Sequence, residues 1–426
     1  MRSFWILALL GVATSAHAGQ FEAPFRDALD AAVAEIPAAG IAPEEALNAA
    51  VDPGVHYEPE FSNLEWTIPS GRLPSQTPTM ASNNNVALAR YEGRLFMAWR
   101  TGPLHFASNN VKMYVVSSPD WGLTWDYEAT VDLHSDVREP LLTVIGGRLI
   151  FCFFQAGKDR AKFEPQYMWR MERLPGGGWT SLETWGEPKE ITWDIKIRDG
   201  RAWRTSYLGD HYEGNAGISL FFSVSDNGLD WSSAPGSRGE VYHGGDSEAS
   251  VEFMEDGTLW GITRNEDGDS SGFGSQLVTA APGSPGAWEF PERSAPDRYD
   301  SPRMFRHGND LYLLARRDMG GPFDRGMEWA PRSIRKFFLW AWYGLRPKRT
   351  TLYRIDRDTR AIVPLVDLPS DGDTAFPSIL RLGPDAYLVA NYTSPLIYPA
   401  RSWIWGQLSP GGSQIYYTVL RFKPEN

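Results

Sequence analysis

The sequence predicts an all-β protein folded as a six-bladed β-propeller. One pattern occurs six times between Asn84 and Tyr392: a short apolar strand, a glycine turn and a second apolar strand. The glycines that mark these turns are Gly93, Gly147, Gly200, Gly257, Gly308 and Gly383. Their spacing is near 54 residues except for the last interval of about 75, and strand repeats of roughly 40–50 residues are typical of propeller blades. Because one four-stranded blade cannot cover both of its faces, we expect the blades to stack around a common axis.

The chain is expected to begin with a secretory signal peptide at residues 1–18. A positive charge, a short apolar run and a small-residue cleavage site follow one another there, so cleavage is expected between Ala18 and Gly19. The mature protein is therefore predicted to be secreted or periplasmic. Residues 19–60 form an N-terminal extension, and residues 61–426 form the propeller.

Two hairpins carry an Asp-box signature. In this turn an Asp carboxylate accepts main-chain N–H groups, a glycine adopts a positive φ and a tryptophan packs beneath. The first copy comprises Ser118, Asp120, Gly122 and Trp125, and the second, which lacks the leading serine, comprises Asp226, Gly228 and Trp231. The copies lie about 106 residues apart, which is two blade lengths, so two independent signals agree. We expect these residues to be structural.

Composition and charge exclude several functional classes. The formal net charge of −12 argues against nucleic acid as a partner. The 18 Trp, 17 Tyr and 21 Phe suit both packing between blades and stacking on sugars. The single cysteine, Cys152, lies in an apolar strand and is expected to be a core residue. The sequence contains no metal or nucleotide-binding motif, so we expect no metal and no cofactor. We expect the protein to be a monomer.

Two segments interrupt the repeat. Residues 325–349 form an insert in the fifth blade that accounts for the long last interval, and residues 398–408 hold further aromatics. The insert residues expected to be accessible are Phe337, Phe338, Trp340 and Trp342. Either the two segments pack on each other, or they contact a membrane surface or a lipid-linked substrate. Ahead of the blades, residues 61–69 are expected to close the ring against the last blade.

The repeat also predicts where a site lies. The first strand of each blade begins on the face of the disc where the second strand ends, so residues at these positions share the rim of the channel. The catalytic candidates there are Glu248, Glu139, Asp246, Asp373 and His105, and the substrate-binding candidates are Arg100, Arg138, Arg264, Arg303, Tyr207 and Tyr392. Either these charges form structural ion pairs, or they form a carboxylate-catalysed site that binds an anion, since arginine grips carboxylates with two hydrogen bonds.

These features resemble the sialidase superfamily of six-bladed, Asp-box propellers, and the resemblance covers most of residues 70–422. The segment that contains Glu248 and Arg264 is similar to a family segment. The resemblance implies that Glu248 activates the nucleophile and that Arg264 clamps the sugar carboxylate. Arg72, in a short Arg-Leu-Pro match, stands where another arginine of that clamp is found.

The chain departs from the sialidase pattern at two positions. Phe376 stands where the family has its nucleophilic tyrosine, and phenylalanine has no oxygen with which to attack. The loop after the first hairpin contains His105 and lacks the family's acid/base aspartate. Tyr392 or Tyr207 is then a candidate for a displaced nucleophile.

The remaining carboxylates suggest a hydrolase. Glu248, held ionised beside Arg264, is the expected base or nucleophile, and Glu139 is the expected proton donor. Arg138 is expected to point away from Glu139 because neighbouring side chains alternate along an extended chain. We therefore expect a sialidase-like glycoside hydrolase that removes a terminal, acidic sugar from a glycan. The alternatives are a polysaccharide lyase that uses His105 and a tyrosine, and a non-catalytic glycan-binding propeller.

Overall fold

The computed structural model describes residues 21–425 apart from 22, 35, 37–39, 161, 210–216 and 399. The predicted signal peptide at residues 1–18 lies outside the described residues. The described residues form six antiparallel sheets in a ring, so the fold is a six-bladed β-propeller, as predicted. Four short elements precede the blades: α1 (Phe25–Val33), α2 (Glu44–Ala49), β1 (Tyr57–Phe61) and β2 (Glu65–Ile68).

The first three blades follow in chain order. Blade one contains β3 (Ser82–Tyr91), β4 (Arg94–Gly102), β5 (Lys112–Ser118) and β6 (Asp126–Val131). Blade two contains β7 (Val137–Ile145), β8 (Arg148–Gln155), β9 (Tyr167–Glu172) and β10 (Glu183–Trp185). Blade three contains β11 (Ile191–Arg198), β12 (Arg201–Gly209), β13 (Ile218–Ser225), β14 (Ser232–Ser233) and β15 (Glu240–Gly244).

The last three blades carry the remaining helices. Blade four contains β16 (Asp246–Phe253), β17 (Leu259–Asn265) and β18 (Leu277–Ala280). Blade five contains β19 (Asp300–His307), β20 (Asp310–Asp318), α3 (Arg332–Gly344), β21 (Lys348–Ile355) and β22 (Ile362–Leu368). Blade six contains β23 (Thr374–Gly383), β24 (Ala386–Thr393), α4 (Trp403–Leu408) and β25 (Gln414–Pro424).

The first strand of each blade lies innermost, because it contacts the first strands of both neighbouring blades. Both faces of most blades are covered, which explains why inner strands such as β8 are apolar along almost their whole length. The core is therefore divided into clusters between adjacent blades. One cluster joins blades six and one with α1, and it buries Phe25 and Leu29.

The ring closes through segments that precede the first blade. β1 and β2 both pair with β25, and Phe61 lies opposite Leu420. Helix α2 lies at the turn end of the blades, where Asn48 Nδ2 donates to Gly308 O at 3.1 Å. The strand starts therefore face the opposite end of the channel, where the rim was predicted.

The first Asp-box turn has the expected hydrogen bonds. The Asp120 Oδ1 atom accepts from the Thr124 amide at 2.8 Å, and Ser118 Oγ accepts from the Gly122 amide at 2.6 Å. Gly122 has a φ of +90°, and the Trp125 ring packs directly beneath its Cα. Trp125 joins the cluster between blades six and one, so this turn anchors a hairpin to the core.

The second turn corrects the sequence assignment. Asn227 Oδ1, and not Asp226, accepts the Leu229 and Asp230 amides at 2.8 and 2.9 Å. Ser225 Oγ accepts the Gly228 amide at 2.8 Å, so the leading serine is present one position closer to the glycine. Asp226 instead points outward and accepts from Arg201 Nε at 2.7 Å. The predicted alignment was wrong because this turn is one residue shorter.

The insert of blade five places its aromatics on two sides. Phe337, Phe338 and Trp342 are more than half exposed. Trp340 turns toward the protein, where the Arg298 guanidinium lies 4.4 Å from the centre of its ring. Trp340 is only partly exposed, in contrast to the other three aromatic residues predicted to be accessible.

Candidate functional site

A pocket of about 400 Å³ opens where the first strands begin and the second strands end. Glu139 and Glu248 line it from the starts of β7 and β16. Tyr207, Arg264 and Arg316 line it from the ends of β12, β17 and β20. The structure thus brings together residues from four blades, because the repeat delivers their strand ends to one channel mouth.

Glu139 is a buried carboxyl group in the pocket wall. It adopts a φ of +53° at a break in the β7–β8 register, and its Oε2 atom accepts a hydrogen bond of 2.9 Å from Asn85 Nδ2. Burial, reinforced by the charge of Glu248, raises the pKa of Glu139 to about 8. The group therefore holds its proton at neutral pH.

The same break in register corrects the expected direction of Arg138. In a regular strand Arg138 and Glu139 would point to opposite sides, but at this bulge both line the pocket. The Arg138 Nε atom lies 2.5 Å from Asp136 Oδ2, and its Nη2 donates to His105 O at 2.9 Å. Arg138 is thus held by its own partners at the pocket wall.

Glu248 is the second carboxyl group of the pocket. Its Oε1 atom contacts Arg264 Nη1, and its Oε2 accepts the Ser301 amide at 2.9 Å. Burial raises the pKa of Glu248, while the Arg264 charge and the Ser301 amide oppose that rise by stabilising the carboxylate. Of the two carboxyl groups, Glu248 has the better-stabilised charge.

A charged cluster behind the pocket holds these groups in place. Asp300 accepts from Arg298 Nε at 2.5 Å and from Tyr343 Oη at 2.6 Å, and its Oδ1 atom lies 3.3 Å from Arg264 Nε. Burial opposes ionisation of Asp300, but the arginines Arg298, Arg264 and Arg316 hold its pKa well below the ordinary value. Tyr343 comes from helix α3, so the insert completes the second layer of the site.

His105 meets the pocket from the loop after β4. Its Nδ1 atom lies 2.7 Å from Asp373 Oδ2, and Tyr392 Oη donates to Asp373 Oδ1 at 3.1 Å. Burial lowers the pKa of His105, although Asp373 acts in the opposite direction, so the ring is neutral at pH 7. A neutral ring that donates Nδ1–H to Asp373 keeps Nε2 as its acceptor.

Three predicted site residues lie behind the pocket wall. Asp373 and Tyr392 are at most 1% exposed, and they position His105. Arg100 is also 1% exposed, and it donates to Asp136 Oδ1 at 2.9 Å and to the carbonyl groups of His105 and Phe106. Direct binding of substrate by Arg100 or Tyr392 was the wrong prediction, since both side chains are enclosed by the residues they support.

Asp246 and Arg303 also do not line the pocket. Asp246 is fully buried and accepts from Thr263 Oγ1 at 2.8 Å and Gln276 Nε2 at 2.9 Å. Arg303 Nη1 donates to Trp193 O at 2.8 Å and lies 3.1 Å from Asp194 Oδ1. Their predicted catalytic and binding roles are corrected, because strand position alone does not decide which way a side chain points.

Comparisons with known proteins concern the fold. No protein-family model and no curated protein sequence matches the chain. A protein of unknown function from Dyadobacter fermentans superimposes with a TM-score of 0.55 at 15% identity, over 80% of this chain and 95% of that one. The Trypanosoma rangeli sialidase superimposes with a TM-score of 0.51 at 12% identity, over 87% of this chain. The fold is sialidase-like. The chain spans 60% of the length of that sialidase.

Within this sialidase-like fold, the pocket is lined by residues that the sequence did not single out for binding. The additional lining residues are Phe106, Ala107, Asp136, Phe154, Ala156, Asp159, Arg160, Lys162, Phe163, Glu266, Arg316, Phe376, Trp403 and Gln407. Phe376 has a φ of +57° and packs 5.2 Å from the Trp193 ring. The sequence feature that could have pointed to Trp403 is the cluster of aromatic residues at 398–408. The loop that carries Arg160 and Lys162 has no repeat pattern by which the sequence could place it.

Proposed function

We propose that the protein is a glycoside hydrolase that removes a terminal, acidic sugar from a glycan. The observation that carries this proposal is the pairing of two unlike carboxyl groups in one half-open pocket. Burial raises the pKa of both groups, to about 8 for Glu139, while at Glu248 the Arg264 charge opposes the rise by stabilising the carboxylate. Two carboxyl groups whose environments separate their pKa values are suited to acid and base roles.

In the proposed reaction, Glu139 gives its proton to the glycosidic oxygen as the bond to the anomeric carbon breaks. Glu248 either attacks the anomeric carbon or takes a proton from the water that does so. Burial, with the charges of Glu248 and Glu139, raises the pKa of Tyr207 well above its usual value, so the phenol stays protonated. Tyr207 is therefore assigned to substrate binding and not to nucleophilic attack.

Two exposed cations at the mouth of the pocket suit an acidic substrate. Arg264 and Arg316 already face Glu248 and Asp300. Arg160 and Lys162 are exposed and line the mouth beside Asp159, and Lys162 Nζ lies 3.8 Å from Glu164 Oε1. We assign binding of the sugar's anionic group to these two cations. Aromatic side chains such as Phe163 and Trp403 line the same pocket and suit the apolar faces of sugar rings. The sialidase-like fold adds to the proposal by analogy alone.

The test measures release of reducing sugar from sialosides, uronic-acid glycosides and arabinosides. We expect Glu139→Gln and Glu248→Gln each to lower kcat by about 10²-fold or more, since each removes one partner of acid–base catalysis. Glu292→Gln, which changes an exposed carboxyl group, is the matched control and keeps full activity. In the wild-type protein, kcat/KM should fall as pH rises through about 8, when Glu139 loses its proton.

Three results would contradict the hydrolase proposal. Undiminished turnover by both glutamine variants would exclude the assigned carboxyl groups. An unsaturated product that absorbs in the ultraviolet would indicate a lyase, which the neutral His105 beside Asp373 would suit. Glycan binding with no turnover would indicate a binding propeller.

A further inference from the structure

Helix α3 presents an apolar stripe to solvent. Ile334, Phe337, Phe338, Trp342 and Leu345 follow the i, i+3, i+4, i+8, i+11 spacing of one helix face, and each is between 46% and 71% exposed. In a surface helix of a globular protein such a stripe normally faces the core. In this protein the stripe faces solvent, so its side chains can contact a partner outside the chain.

The opposite face of α3 is tied to the propeller by polar contacts. Arg335 contacts Asp324, and Lys336 Nζ lies 2.6 Å from Asp267 Oδ1. Tyr343, only 1% exposed, reaches Asp300 in the layer behind the pocket. These contacts fix which face points outward, because rotation of the helix would bury unpaired charges.

Helix α4 packs beside α3 at the mouth of the pocket, through the inward-facing side chain of Tyr343. The Tyr343 and Trp403 rings lie 5.4 Å apart and join the two helices. Trp403 lines the pocket, while Trp405 and Leu408 of the same helix are 60% and 47% exposed. We call the exposed side chains of α3 together with Trp405 and Leu408 the aromatic face. It borders the candidate active site.

Exposed arginines border the aromatic face. Residues 325–349 carry seven Lys or Arg residues and one acidic residue, in a chain of net charge −12. Five of these cations pair with carboxylates outside the segment, while Arg325 and Arg332 are exposed. The guanidinium groups of Arg325 and Arg346 lie 4.8 and 4.7 Å from the Trp342 ring. An exposed tryptophan flanked by arginines is the arrangement found at the headgroup level of bilayers. Exposed arginines beside exposed apolar residues favour anionic lipids.

We propose that the aromatic face rests on an anionic lipid bilayer and brings the pocket to the sugar head groups of membrane glycolipids. Among the described residues, no helix is long and apolar enough to cross a membrane. The proposal of a bilayer contact depends only on the aromatic face. The glycolipid as substrate also rests on the proposed hydrolase function, because a sugar must enter the pocket that the face borders.

The experiment measures co-sedimentation of the mature protein with vesicles of phosphatidylcholine alone or with added phosphatidylglycerol. We expect binding to the anionic vesicles, weakening with salt, and a loss of about ten-fold or more in the Phe337→Ser/Phe338→Ser variant. The control is Leu123→Ser/Leu174→Ser, which removes two other exposed apolar side chains and keeps wild-type binding. Turnover of soluble oligosaccharide should be unchanged in both variants, whereas turnover of a vesicle-embedded glycolipid should fall in the first.

Each remaining outcome has a defined meaning. Equal binding by the two double variants, or no vesicle binding by the wild-type protein, overturns the bilayer contact. A wild-type dimer that Phe337→Ser/Phe338→Ser converts to monomer also overturns it and assigns the face to a second copy. Vesicle binding without any sugar release overturns the hydrolase proposal and leaves the bilayer contact standing.

Discussion

Glu139 shows how a residue suited to catalysis can lower the stability of the folded protein. In the unfolded chain its carboxyl group ionises near pH 4.5, while in the folded protein burial and Glu248 raise the pKa to about 8. The folded state thus loses stability as pH rises from the lower value through the higher one, because only the unfolded chain releases the proton. This cost is expected of a proton donor that operates at neutral pH.

We therefore expect Glu139→Gln to stabilise the protein at pH 7 while lowering kcat by about 10²-fold or more. A glutamine keeps an acceptor for Asn85 and has no proton to lose. The gain in unfolding free energy is on the order of 3 kcal/mol at pH 7 and close to zero at pH 4.5. Urea denaturation of wild-type and variant protein at the two pH values measures it. A difference that does not change with pH would show that the carboxyl group is not held protonated.

At the scale of the element, the second Asp-box turn shows how a turn one residue shorter than the first keeps its hydrogen bonds. The turn keeps its glycine and tryptophan, and its carboxylate is replaced by the Asn227 amide oxygen. The neighbouring Asp226 side chain is 80% exposed and pairs with Arg201. The hydrogen bonds of the turn, and not the acid itself, are what this hairpin needs.

This turn offers a matched pair of variants. We expect Asn227→Ala to lower the unfolding free energy by about 1–2 kcal/mol, because two main-chain amides lose their acceptor. Asp226→Ala should cost less than about 0.5 kcal/mol, since an exposed ion pair contributes little. Urea denaturation of both variants shows which of the two side chains stabilises the turn. The reverse order would restore Asp226 as the acid of the turn.

At the scale of the whole molecule, closure of the ring depends on the segment before the first blade. β1 and β2 cover the edge of β25, which would otherwise expose unpaired main-chain groups. Phe61 is fully buried in the cluster between blades five and six. β1 and β2 therefore pack in the core with β25, the last strand of blade six.

We expect Phe61→Ala to destabilise the protein by about 3–5 kcal/mol, as large-to-small changes in a packed core do. Phe96→Ala, at an equally buried position inside blade one, is the comparison and should cost a similar amount. Thermal and urea unfolding measure both. A much smaller effect for Phe61→Ala would show that the closing strand contributes little to the core.

Much of the fold and part of the site could be predicted from the sequence. The repeat placed Glu139, Glu248, Tyr207 and Arg264 at one rim, since strand starts and ends follow from chain order. The bulge that turns Arg138 into the pocket could not be predicted, because a break in register depends on the facing strand.

The sequence by itself determined the six-bladed ring and the face on which strand ends meet, because a repeat of strands and turns constrains backbone topology over the whole chain. Only the tertiary structure decided which charges face the pocket and which are enclosed. Arg100 and Glu139 both come from rim positions, yet Arg100 is closed in by Asp136 while Glu139 reaches the pocket. The physical reason is that pairing and burial depend on distances between residues that are remote in the chain.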